Sequence, residues 1–191
     1  MTADRSAPPG SWPGVHERLA ELAAADPLLR RFGADSHRYV LRPPLSESAV
    51  TSFETRHRIT LPRSYRTFLL DAADGGAGPA HGLLGLTELP PDDEALFDLK
   101  ADSLAPGFLA SPFRYLTSQP GPSTATDTGY DLAGSLPIGE AGCGIFSRLV
   151  ITGPCAGQVW TDDQVWSGLA PGPDFRVWYT AWLDAYQRSG T

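Results

Sequence analysis

The segment that decides the fold is LPRSYRTFLLDAADGGAGPAHGLLGL, residues 61–86. Pro62 suits the first turn of a helix, because its missing N–H costs nothing there. Four residues then follow at the i, i+3, i+4, i+7 spacing of a helix that buries one face. They are Tyr65, Phe68, Leu69 and Ala72. Gly75 and Gly76 should close this helix, since glycine adopts a left-handed cap without a Cβ clash. A strand over residues 81–86 is expected to follow.

Three further helices are predicted around this segment. The first spans residues 11–25 with Ser11 as its cap, and the second begins at Ser46. The last runs from Asp174 to about Arg188 and carries aromatic residues on one broad stripe, which indicates packing on a core. That stripe contains Phe175, Trp178, Tyr179, Trp182 and Tyr186.

Short apolar runs separated by glycine-containing turns predict antiparallel strands. The predicted strands cover residues 37–41, 136–139, 144–152, 158–161 and 164–166. Helices first, then strands, then a final helix indicate an α+β fold. We expect a single domain over residues 11–191, with helices on one face of a mostly antiparallel sheet and a closing C-terminal helix. Residues 1–10 should be disordered, and residues 88–135 should form an irregular insertion of surface connections.

Composition limits the classes of function. The N-terminus has no apolar core of a signal peptide, and the sequence has no apolar run near 18 residues, so a cytosolic protein without a membrane span is expected. In that compartment Cys143 and Cys155 should be reduced thiols. The formal net charge is −7, and Lys100 is the only lysine. A nucleic-acid-binding protein normally has a basic stripe, which this sequence lacks.

Acidic residues concentrate between residues 88 and 102. They are Glu88, Asp92, Asp93, Glu94, Asp98 and Asp102. Such a segment is either a solvated loop or a surface that meets a basic protein, because charge of one sign speeds association with the opposite sign.

No motif assembles a catalytic, cofactor or metal site. The four histidines lack metal-ligand spacing, and the two cysteines lack paired CxxC spacing. The turn GEAGCG, residues 139–144, precedes a strand instead of a helix, so it does not form a phosphate loop; Cys143 is expected in the core. An enzyme that uses His81 with Asp71 or Asp74 remains a remote alternative.

Three blocks in order resemble the SUKH superfamily, named for a yeast cell-wall-assembly regulator and its bacterial relatives. The blocks are residues 53–86, 136–160 and 175–186. The positions that carry the resemblance are Leu61, Pro62, Tyr65, Phe68, Gly75, Gly76, Gly142, Gly144, Gly153, Trp160, Trp178 and Trp182.

This resemblance implies an α+β fold and a protein-binding function without catalysis. Many bacterial members resemble immunity proteins that neutralise polymorphic or contact-dependent toxins, whereas fungal members resemble interaction hubs in cell-wall signalling. Abundant Arg, Ala, Gly and Pro indicate a GC-rich bacterial genome and favour the immunity hypothesis, with a basic toxin domain as the partner. A regulatory scaffold in cell-envelope control is the alternative. The oligomeric state is left open.

Overall fold

Six helices and four strands form within the residues that the computed structural model describes, 12–91, 93–121 and 129–188, with side chains described through residue 185. The helices are α1 (Val15–Ala25), α2 (Ala34–His37), α3 (Glu47–His57), α4 (Arg63–Asp71), α5 (Glu94–Ser103) and α6 (Phe175–Arg188). The strands are β1 (Ser135–Glu140), β2 (Ile145–Val150), β3 (Val159–Asp163) and β4 (Gly168–Ala170).

The strands form one antiparallel meander in the order β1-β2-β3-β4. Leu136 pairs with Leu149, and Leu149 pairs with Val159. Because paired residues share a face, these three apolar side chains stand side by side on the same face of the sheet. A register shift between Pro137 and Gly139 places a β-bulge in the edge strand β1.

Helices cover this first face and form the main core with it. The buried cluster joins residues of α1, α3, α4 and α6 to Leu136 and Leu149. The ring of Tyr179 in α6 lies 5.0 Å from that of Phe68 in α4, and the ring of Trp12 also lies 5.0 Å from that of Phe68. The predicted α+β class, antiparallel sheet and closing C-terminal helix are therefore confirmed.

The second face of the sheet is also buried. Alternation along the strands places Arg148, Val150 and Trp160 there. Val150 and Trp160 form a smaller core with Phe113, whose ring centroid lies 5.0 Å from that of Trp160. Phe113 belongs to the segment 88–135, so this segment contributes to the core and is not confined to surface connections.

Buried polar contacts fix α5 to the sheet. Lys100 is fully buried and donates to the carbonyl oxygen of Pro137 at 3.0 Å. The Oγ of Ser103 accepts from Nη2 of Arg148 at 3.2 Å, and Nη1 of Arg148 lies 3.6 Å from Oδ2 of Asp162. Burial lowers the pKa of Lys100 to about 7 and that of Arg148 to about 10. Burial also raises the pKa of Asp162, although Arg148 opposes this.

Backbone pairing around Gly76 connects the helices to the sheet. Gly76 and Leu83 exchange two hydrogen bonds of 2.9 and 2.7 Å, and Gly76 also bridges Leu41. Leu84 N–H then donates to the carbonyl of Ile138 in β1 at 2.9 Å. We call residues 75–84, together with residues 40–42, the glycine corner.

The corner requires glycine at residue 76. Gly76 has φ of +99°, and a Cβ atom there would lie 2.5 Å from the carbonyl oxygen of Val40. A side chain would therefore have both a disfavoured backbone conformation and a clash with backbone atoms.

Several predicted details are confirmed. The side chain of Ser46 caps α3 by accepting from Ala49 N–H at 3.2 Å, and Asp174 caps α6 by accepting from Arg176 N–H at 2.8 Å. Helix α4 begins directly after Pro62, which occupies its N-cap position. The predicted stripe of α4 is buried throughout, at Tyr65, Phe68, Leu69 and Ala72.

The strands predicted over residues 37–41 and 81–86 were wrong. Only isolated bridges form there, at Leu41 and Leu83. Arg38 and Tyr39, with φ of +50° and +60°, turn the chain in the first segment, and Gly82, with φ of +104°, turns it in the second. Helix α4 also ends earlier than predicted. Asp71 is its last residue and Ala72 its cap, so the glycines at 75 and 76 serve the corner pairing instead of the helix end.

The strand predicted over residues 164–166 was also wrong, because these residues form the turn between β3 and β4. The carboxylate of Asp163 accepts from the N–H groups of Val165 and Trp166, each at 3.0 Å, and this diverts the chain. Helix α1 begins at Val15 after Gly14. Its predicted cap, Ser11, and the predicted disordered residues 1–10 lie outside the described residues.

We predict that Gly76→Ala destabilises the protein more than Gly107→Ala. Both glycines have positive φ, but a Cβ at Gly107 meets no atom within 4 Å. Gly107→Ala should therefore lower the free energy of unfolding only by the cost of holding alanine in the left-handed conformation, about 1–2 kcal/mol. Gly76→Ala adds the clash with Val40. Urea denaturation measures both free energies of unfolding, and equal losses would contradict the role of the corner.

We also predict that Lys100→Met removes a pH dependence of stability. The ordinary lysine pKa is 10.5, and the folded value is about 7. Between these values the unfolded chain binds a proton that the folded protein has released. The free energy of unfolding of the unmodified protein should then rise with pH, by at most about 1.4 kcal/mol per pH unit.

Below pH 7 both states of Lys100 hold the proton, so no dependence arises there. Urea denaturation of both proteins from pH 6 to 9 tests this, since other titrating groups are common to the two. The difference in free energy of unfolding should grow in favour of the unmodified protein as pH rises. A constant difference would show that Lys100 is not buried as a neutral amine.

Candidate functional site

The predicted acidic residues do not share one environment. Asp92 lies outside the described residues. The carboxylate of Glu88 faces inward, where Oε2 accepts from Nη2 of Arg42 and from Gly85 N–H, each at 2.7 Å. The hydrogen bond from Arg42 lowers the pKa of Glu88. Asp93 caps α5, because Oδ1 accepts from Leu96 N–H at 2.9 Å. Glu88 and Asp93 thus have structural roles.

The remaining three form a surface. Glu94, Asp98 and Asp102 are exposed and recur every four residues, so they follow one side of α5. Within the described part of the chain, no hydrogen bond or ion pair involves their carboxylates. We call these three residues the acidic face. The opposite side of α5 is buried and holds α5 against the sheet through Lys100 and Ser103.

A cavity of about 560 Å³ lies between the glycine corner and the start of α5. We call it the corner cavity. Its polar side chains are those of Ser36, His37, Arg42, His81, Glu88, Asp93 and Glu140. Its apolar wall includes Leu83, Leu84 and Leu96. The corner supplies Leu83 and Leu84 to this wall, because residues 82–84 run beside β1, and α5 supplies Leu96. The size is within the range of sites that hold small ligands or side chains.

His81 lines the cavity, but the carboxylates predicted to assist it do not. Its Nδ1 lies 3.1 Å from Oγ of Ser36, and its ring centroid is 5.1 Å from that of Phe32. Asp74 is engaged elsewhere, where Oδ1 accepts from Leu86 N–H at 2.7 Å. Asp71 is exposed at the end of α4. The structure therefore places a serine beside His81, instead of either predicted aspartate.

The sequence analysis did not single out Ser36, Arg42 or Glu140, which line the cavity. Glu140 ends β1, and residues 141–144 then turn the chain into β2. The sequence feature that could have indicated Glu140 is its position directly before a glycine-containing turn. Cys143, which was expected in the core, is exposed instead, because it sits in this turn with φ of +55°. Cys143 and Cys155 form no disulfide with each other.

The positions that carry the family resemblance occupy the core and the turns. Leu61, Tyr65, Phe68 and Trp182 are buried in the main cluster, with Trp178 partly buried against it. Trp160 is buried on the second face. Gly142, Gly144 and Gly153 have positive φ, and a Cβ at Gly153 would lie 2.6 Å from the carbonyl oxygen of Phe113.

In the described ranges, no three or more His, Cys, Asp or Glu side chains come close enough together to hold a metal ion. None of the helices in the described part of the chain combines the length and apolar character needed to cross a membrane.

No family model, no curated protein and no solved structure matches the chain.

Proposed function

We propose that this protein is a non-catalytic, cytosolic protein-binding module whose acidic face binds a basic protein. The observation that supports it most is the position of Glu94, Asp98 and Asp102. Three exposed carboxylates stand on one side of a helix whose other side is anchored in the protein. A fixed row of like charges attracts a basic surface and increases the rate of encounter.

The resemblance to the SUKH superfamily supports an immunity protein as the specific form of this function. A toxin that acts on nucleic acid carries a basic site, and an acidic helix placed over that site would block it by charge complementarity. A regulatory scaffold in cell-envelope control uses the same binding chemistry with a different partner. The identity of the bound protein distinguishes these two functions.

The test neutralises the acidic face. A tagged protein with Glu94→Gln, Asp98→Asn and Asp102→Asn is compared with the unmodified protein in quantitative affinity capture from the native cells. We predict one stoichiometric partner with a basic toxin-like domain, depleted from the variant. With the purified partner, the association rate constant should fall by roughly tenfold or more at low salt and become less salt-dependent.

A matched control carries Glu17→Gln, Asp35→Asn and Asp71→Asn, which remove the same charge from exposed positions on other elements. It should retain the partner and most of the association rate. Equal losses in the two variants would show a general effect of net charge, and an unchanged rate in the acidic-face variant would contradict the proposal. Recovery of several envelope or signalling proteins would instead favour the scaffold.

One observation favours a second candidate, an enzyme. Ser36 and His81 are within hydrogen-bond distance inside a cavity, and a histidine beside a hydroxyl is a common arrangement for activating a nucleophile. Hydrolysis of a panel of ester and amide substrates that is abolished by Ser36→Ala would establish this function. Absence of turnover above that of Ser36→Ala would leave binding as the function.

A further inference from the structure

The corner cavity carries more negative than positive charge. The carboxylates of Glu88, Asp93 and Glu140 line it together with one guanidinium, that of Arg42, and the imidazoles of His37 and His81. Arg42 is already bound to Glu88 at 2.7 Å. The carboxylate of Glu140 makes no hydrogen bond or ion pair with any residue that the structure describes. The cavity therefore favours a cationic group placed near Glu140.

Apolar side chains and the ring of His81 line the cavity together with these carboxylates, and Phe32 packs on that ring from outside the lining. Leu83 and Leu96 line the cavity, and the exposed side chain of Val40 stands at its edge. The ring of Phe32, 62% exposed, contacts the ring of His81. Such surfaces suit a cation at the end of an aliphatic stem. A guanidinium fits best, because it stacks on aromatic rings and binds a carboxylate through two parallel hydrogen bonds.

The cavity and the acidic face are neighbours. Asp93, the cap of α5, and Leu96, on its buried side, both line the cavity, whereas Glu94 begins the acidic face. A basic protein that lies along α5 thus passes close to residues that line the cavity at the N-terminal end of the helix.

We propose that the corner cavity receives one arginine side chain of the basic partner. Its guanidinium binds the carboxylate of Glu140, and its aliphatic stem packs against Leu83 and Leu96. This inference rests on the proposed function and adds to it the position and the chemistry of one specific contact. Charge along α5 guides the encounter, and the buried arginine holds the complex.

The probe is N-acetyl-L-arginine amide, with N-acetyl-L-citrulline amide as its uncharged isostere. Each is titrated into the ¹⁵N-labelled full-length protein and followed by NMR chemical shifts. The arginine probe should shift the amide signals of His81, Gly82, Gly139 and Glu140 to saturation. The citrulline probe should bind at least roughly tenfold more weakly, because the ion pair is lost. Equal binding of the two probes, or shifts confined to the acidic face, would overturn the inference.

Two single variants locate the contact. Glu140→Gln should weaken binding of the arginine probe by roughly tenfold, since it removes the charge without removing any internal hydrogen bond. Glu17→Gln, an exposed site on α1, should leave binding unchanged. Equal affinities of Glu140→Gln and the unmodified protein would overturn the inference.

The purified partner separates failure of this inference from failure of the proposed function. A partner that needs the acidic face but dissociates from Glu140→Gln at the unmodified rate overturns the arginine contact and retains the binding function. Saturable binding of the arginine probe at the cavity supports the cavity's chemistry even if no basic partner is recovered, in which case the proposed function fails. Faster dissociation from Glu140→Gln than from Glu17→Gln supports both.

Discussion

The two-sided backbone pairing of Gly76 is the constraint on which the rest of the structure depends. Gly76 bridges Leu41 on one side and Leu83 on the other, and Leu84 continues the pairing to β1. These bonds join the part of the chain that carries α1 to α4 to the sheet. They also place His81, Gly82 and Leu83 along one wall of the corner cavity. The glycines of this segment are explained by the close approach of three backbone segments.

The two sides of helix α5 differ: one is buried against the sheet and the other is exposed and acidic. Lys100 and Ser103 attach it to the sheet through contacts with Pro137 and Arg148, so its orientation is set by the core. Its outer side presents the acidic face. Because a buried charge that loses its partner is costly, this attachment favours one orientation of the helix over others. A rigid acidic surface loses less conformational entropy when it binds a basic partner than a mobile loop of the same charge would lose.

Sequence reasoning succeeded where local chemistry decides the structure. The Ser46 and Asp174 caps and the stripe of α4 each follow from neighbours within one helix. It failed where contacts between segments far apart in the sequence determine the structure. The bridges at Leu41 and Leu83 depend on pairing across the corner, and α5 depends on burying Lys100, which an acidic, proline-containing segment did not suggest. Glu140 was missed for the same reason, since only the fold brings it near His81.

The most direct test of this account is the exchange rate of the amide hydrogens of Gly76 and Leu83, measured by NMR under native conditions. If the pairing of Gly76 with Leu83 holds the helices on the sheet, both amide hydrogens should exchange only when the whole protein unfolds. Their exchange free energy should then lie within about 1 kcal/mol of the global free energy of unfolding from urea denaturation. Exchange through local opening, several kcal/mol below the global value, would show that the corner is a mobile loop and would contradict the account.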